Sequence, residues 1–99
     1  MDIVVLHIDR CPHVGLAEQR VLEALAHADA IAGVRVKVVA TAEEASQRGF
    51  NGSPTILIDG RDPFPAPPGP PALACRLYPT DQGMQGAPTV AQLDAVFAE

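Results

Sequence analysis

The chain opens on an apolar run. Ile3-Val4-Val5-Leu6-His7-Ile8 is an almost unbroken series of aliphatic strand formers, the pattern of a central strand covered on both faces. From His13 to about Ala30 the spacing becomes helical: Val14, Ala17, Val21, Leu25 and Ala28 share one face, while Glu18, Gln19, Glu23 and Asp29 fall elsewhere. Pro12 suits the first helical position, where a missing N–H is harmless, and Gly33 punctuates the exit. Val34-Arg35-Val36-Lys37-Val38-Val39 alternates apolar with basic residues, which predicts a second strand near a sheet edge. A crossover of this length predicts that the two strands are parallel and their connection right-handed.

Thr41-Ala42-Glu43-Glu44 has the form of a capping box and opens a short helix that Gly49 closes. The third strand is Thr55 to Ile58, entered through Gly52-Ser53-Pro54 and left through the turn signal Asp59-Gly60. An X-Pro bond adopts the cis form at a cost of only about 0.5–1 kcal/mol. A cis Ser53-Pro54 bond is therefore expected, with the preceding backbone groups turned outward, free to meet an extended peptide or a ligand. Gly60 to Pro71 holds six prolines and predicts a stiff surface loop. Ala72 to Tyr78 reads as a fourth strand ended by Pro79, and Thr80 to Ala87 as a flexible turn. Thr89-Val90-Ala91-Gln92 is a second capping box, before a closing helix whose buried stripe is Leu93, Val96 and Phe97.

The expected order is thus β-α-β-α-β-β-α, a four-stranded mixed sheet flanked by helices. With 99 residues and no repeat or boundary, residues 1–99 form one domain. The net charge of −5 and seven scattered basic residues argue against a nucleic-acid partner. The first apolar run is short and preceded by Asp2, so neither a signal peptide nor a membrane span is expected, and the chain reads as cytoplasmic. Its two cysteines, Cys11 and Cys75, are read as thiols on that account. Oligomeric state leaves no mark in the sequence.

Cys11-Pro12-His13-Val14 after the first strand, with Gly52-Ser53-Pro54-Thr55 before the third, resembles the thioredoxin-like superfamily in its glutaredoxin-sized form. The proline-rich loop and Cys75-Arg76-Leu77-Tyr78 further resemble small bacterial thioredoxin-family proteins described as similar to alkylmercury lyase. The resemblance spans essentially the whole chain. It implies a thioredoxin-like fold, an active-site thiol at Cys11 and a cis-proline at Pro54.

Three readings of function follow. The first is thiol redox chemistry at Cys11, which sits before a helix start where unsatisfied N–H groups favour a thiolate, with Arg10 and His13 acting in the same direction. Position 14 is valine, so the Cys-x-x-Cys cycle is closed to this chain, and the resemblance to monothiol glutaredoxins implies a monothiol-type thiol–disulfide oxidoreductase. Pro12, His13, Ser53, Pro54 and Thr55 are the expected substrate-binding residues, joined by the turn at Gly83 to Gly86 if glutathione is the thiol. No cofactor is required; the partner is a small thiol or a protein thiol. In the second reading Cys11 and Cys75 hold a thiophilic metal ion or organomercurial between two thiolates, which select soft ions. The acid that alkylmercury lyase uses to protonate the departing carbon has no counterpart at Val14. The third is a non-catalytic binding module on the same fold. His7 reads as a hydrogen-bonded core histidine, His27 as exposed, Tyr78 as aromatic packing and Asp62 as a residue without a partner.

Overall fold

The computed structural model describes residues 1–66, 68–70 and 72–99. Pro67 and Pro71 of the proline-rich loop lie outside the described residues. The elements in chain order are β1 (Asp2–His7), α1 (Val14–His27), β2 (Gly33–Val38), α2 (Ala42–Arg48), β3 (Thr55–Ile58), β4 (Tyr78–Thr80), β5 (Gly83–Gln85) and α3 (Val90–Phe97). The architecture is a small α/β one, a three-stranded mixed sheet with three helices and a separate hairpin.

β1 is central, as its unbroken apolar run demands. β2 lies parallel on one side with Ile3 opposite Val34, and β3 lies antiparallel on the other with Ile3 opposite Ile58. Because side chains alternate across a strand, the sheet sorts its residues into two layers. Ile3, Val5 and Ile56 pack with Ala17, Val21, Ala24 and Leu25 of α1 and Leu93 of α3. Leu6 and Leu57 pack on the opposite face with Val39, Ala45 of α2 and Phe50. Among the described residues no helix is long and apolar enough to cross a membrane.

The start of α1 and the cap of α2 differ from the sequence reading. α1 begins at Val14 with His13 as its cap residue, two positions later than Pro12 would have it. The reason lies in the turn ahead of it, where Arg10 takes a left-handed φ of 59° and the chain reverses before any helical bond forms. α2 is capped by Thr41, whose hydroxyl accepts from Glu44 N at 3.1 Å, and closed by Gly49 at φ 74°, but Glu44 reaches back to Ala40 N rather than to Thr41. The box at Thr89 and Gln92 is complete.

Among the described residues the four-stranded sheet does not form. There Ala72 to Leu77 makes no ladder with β3 and pairs only through an isolated parallel bridge between Cys75 and Ser53. Burial explains why: in this stretch the charged Arg76 turns inward, 2% exposed, while the aliphatic Leu73 and Leu77 stay out at 42% and 53%. Pro79, expected to stop a strand, instead lies within β4, and the expected flexible turn contains β5, paired antiparallel to β4. The hairpin has only two strands, so an edge position for proline leaves no ladder donor missing. Arg20 of α1 ties the hairpin down, its Nη1 donating to Gln85 Oε1 at 3.0 Å and to the carbonyls of Ala87 and Pro88 at 3.2 Å.

Candidate functional site

The site is built where β1 ends and β3 begins. The antiparallel register brings Leu6 opposite Thr55, and two residues further on Ile8 N donates to Ser53 Oγ at 3.0 Å. The chain then turns through Asp9 and Arg10 to Cys11, which is 8% exposed, and enters α1. No side chain caps the first turn of that helix, so its backbone donors lie unmasked at this end of the sheet.

Ser53-Pro54 is cis. Thr55 holds the turn before it, its buried hydroxyl donating to Gly52 O at 2.6 Å and accepting from Asn51 N at 2.9 Å. Thr55 thus acts inward, on the loop. Ser53 is fully buried, and its main-chain groups are not free: Ser53 N donates to Ala74 O at 2.8 Å and Ser53 O accepts from Arg76 N at 2.9 Å. The outward-facing backbone expected from the sequence is therefore covered by the chain's own segment 74–76.

That segment is anchored by a polar cluster the sequence reading did not find. Arg76 Nη1 lies 2.6 Å from Asp62 Oδ2, both side chains buried, and Arg76 Nη2 donates to Pro65 O at 3.2 Å. Asn51 Nδ2 donates to the same Asp62 oxygen at 2.8 Å. The guanidinium lies over the Tyr78 ring, 4.3 Å from its centroid, and Phe64 meets that ring edge-on at 5.6 Å. Tyr78 O–H donates to Pro54 O, so the cluster reaches the cis-proline itself. A signal was available: Arg76 is the sole charged residue between Asp62 and Asp81, alone among prolines and aliphatics.

Burial pushes the Tyr78 phenol well above its ordinary value of 10.0; Arg76 opposes the shift and Asp62 adds to it. A raised folded-state value means that the stability contributed by neutral Tyr78 is fully present below the ordinary phenol value and is lost as pH rises through the folded one. The chain has one tyrosine and no tryptophan, so the tyrosinate absorbance band reports this group alone. The band is expected to stay absent in the folded chain where the denatured chain already shows it. Coincident titrations would contradict the burial.

The other candidates fall as follows. Pro12 is exposed in the turn before α1. His13 rests on the exit of β5, its ring so close to Gly86 that a Cβ there would overlap it. This contact also covers part of the Gly83–Gly86 turn expected to meet glutathione. Cys11 and Cys75 are both free thiols, one buried and one exposed. Cys75 opens into a cleft of about 130 Å³ walled by Asn51, Gly52, Pro68, Pro70 and Ala74, and Cys11 is not among its walls. A larger cleft of about 460 Å³, between Ile58, Arg61 and Phe97, lies at the other end of the sheet and holds neither thiol. Among the described residues no three His, Cys, Asp or Glu side chains are grouped to hold a metal ion. His7 Nδ1 is 2.8 Å from Ile8 O, and His27 is exposed, paired with Asp94 at 3.2 Å.

Compared with known proteins, the chain matches no protein-family model, no curated protein and no solved structure.

Proposed function

We propose that this chain is a thioredoxin-like, cytoplasmic thiol protein that performs monothiol exchange at Cys11. The observation that carries the reading is the hydrogen bond from Ile8 N to Ser53 Oγ at 3.0 Å, which fastens the segment leading to Cys11 onto the turn that holds cis-Pro54. The parallel β1–β2 pair, the antiparallel β3 and the uncapped start of α1 support it. The Cys11 thiolate attacks one sulfur of a disulfide, a new S–S bond forms, and the other half leaves as a thiolate. Since position 14 is valine, a second, external thiol then attacks the mixed disulfide and restores Cys11.

Treatment with cystamine, followed by mapping of mixed disulfides, tests this. Cys11 is expected to carry the adduct in the native chain and in Cys75→Ser, and an added thiol to remove it. An adduct confined to Cys75 would count against the reading.

The bridge between Ser53 and Cys75 favours a second reading, capture of a soft ion by both thiols, because it brings Cys75 to the end of the sheet that carries Cys11. In that case Cys75→Ser weakens Hg(II) binding at least tenfold, whereas unchanged affinity removes the reading.

A further inference from the structure

The sequence predicts an outward-facing main chain beside Pro54, open to an extended partner, and in the structure that main chain is already in use. Ser53 has one N–H, which goes to Ala74 O, and its carbonyl accepts from Arg76 N. A peptide docking there would need that donor. It would have to lift segment 74–76 away, exchanging two main-chain hydrogen bonds for two of the same kind.

Nothing in such an exchange offsets what lifting would break. Arg76 is 2% exposed, its guanidinium bonded to Asp62 Oδ2 and Pro65 O and stacked on Tyr78. Releasing Arg76 leaves the buried Asp62 carboxylate without its counter-charge, with Asn51 Nδ2 and Phe64 N still donating to it, the costly half of breaking an internal ion pair. Gly52 completes the fit: at φ 107° and without a Cβ it admits Arg76, whose Cβ would stand 2.7 Å from any Cβ at that position. Cys11 is itself nearly covered, which independently narrows what can reach it.

We propose that Ala74-Cys75-Arg76 is a built-in occupant of the docking edge beside Pro54, held by Arg76 and Asp62, and that it confines exchange at Cys11 to small disulfides without a peptide backbone. The proposal rests on the reading of Cys11 as the exchanging thiol. The step keeps its balance with the disulfide alone: its S–S bond breaks, a Cys11 S–S bond forms, and one thiolate departs. Asp62 and Arg76 are positioning residues here, acting through segment 74–76 and not on the reacting sulfur.

The experiment compares cystamine with the disulfide of a neutral, blocked tripeptide Ala-Cys-Ala, following the adduct at Cys11 by peptide mapping and normalising each rate to a free cysteine peptide. In the native chain the peptide disulfide is expected to react at least tenfold more slowly than cystamine, and in Asp62→Asn the gap is expected to shrink while the cystamine rate holds. Should Asp62→Asn fail to fold, hydrogen exchange in the native chain decides: the Ser53 and Arg76 amides are expected to be protected, and rapid exchange at both overturns the proposal. Equal normalised rates for the two disulfides also overturn it, leaving Cys11 as a nucleophile intact. If Cys11 reacts with neither disulfide nor with iodoacetamide, the underlying reading falls and this one with it.

Discussion

Replacing Asp62 by alanine lowers the free energy of unfolding by about 3–5 kcal/mol, the usual cost of removing one partner of a buried ion pair. The effect is large because Asp62 answers several donors at once. Its Oδ2 accepts from Arg76 at 2.6 Å and from Asn51 at 2.8 Å, and its Oδ1 accepts from Phe64 N at 3.0 Å. Alanine leaves Arg76 charged and buried against the Tyr78 ring, with the carbonyls of Phe64 and Pro65 as its acceptors among the described residues. Denaturant unfolding of Asp62→Ala measures the loss, and the double variant Asp62→Ala with Arg76→Met should recover part of it, because the stranded charge goes and a long apolar side chain still covers Tyr78. A loss below about 1 kcal/mol, the range of exposed pairs, would mean that the ion pair is solvated.

Gly52→Ala is expected to be comparably severe by a different route. The backbone at φ 107° is one that side-chain-bearing residues rarely adopt, worth about 1–3 kcal/mol of strain. The added methyl would also stand 2.7 Å from Arg76 Cβ and 3.5 Å from its Cα, an overlap that costs about 1–3 kcal/mol more if the neighbour must shift. Relief can come only by moving Arg76 out, which loosens the bonds from Ser53 to Ala74 and Arg76. Gly52→Ala should therefore lower stability and speed hydrogen exchange at Ser53 together. Gly49→Ala provides the contrast: its φ of 74° is strained too, but a Cβ there meets nothing within 4 Å, so only the backbone part of the loss is expected. Equal losses at the two positions would remove the steric argument.

These two residues mark where sequence reasoning stopped. The first three strands were legible because their signals are local: β1 is apolar throughout, β2 alternates, β3 is opened by proline, and α1 between β1 and β2 makes the crossover that a parallel pair requires. The helices after Thr41 and Thr89 announce their own starts. Cys11 lies in the turn between β1 and α1, and Ser53-Pro54 directly precedes β3, which follows from the element order. What could not be read was the course of residues 72–77, which follows a side-chain pair fourteen positions apart in sequence. Asp62 and Arg76 draw each other inward, and that overrides the strand preference of Leu73 to Leu77. A charge alone in an apolar segment is a demand for a partner; reading it that way would have joined Arg76 to Asp62 and shown that the backbone at Ser53 is covered.

Around the site, the Thr55 hydroxyl bonds within its own turn, His13 lies against Gly86, and Cys75 lines its own small cleft. Of the two thiols, Cys11 is the buried one, in the turn between β1 and α1.

The most direct measurement is the competition between the two cysteines for iodoacetamide at neutral pH, read at each site by mass spectrometry under native conditions. Accessibility alone favours Cys75, which is exposed, over Cys11, which is 8% exposed. If Cys11 is the functional thiol, it is labelled first despite its burial, because reaction follows the thiolate and its surroundings. Rapid labelling of Cys75 with Cys11 silent until the chain unfolds would show Cys11 to be a packed core residue, and the account of this site would not stand.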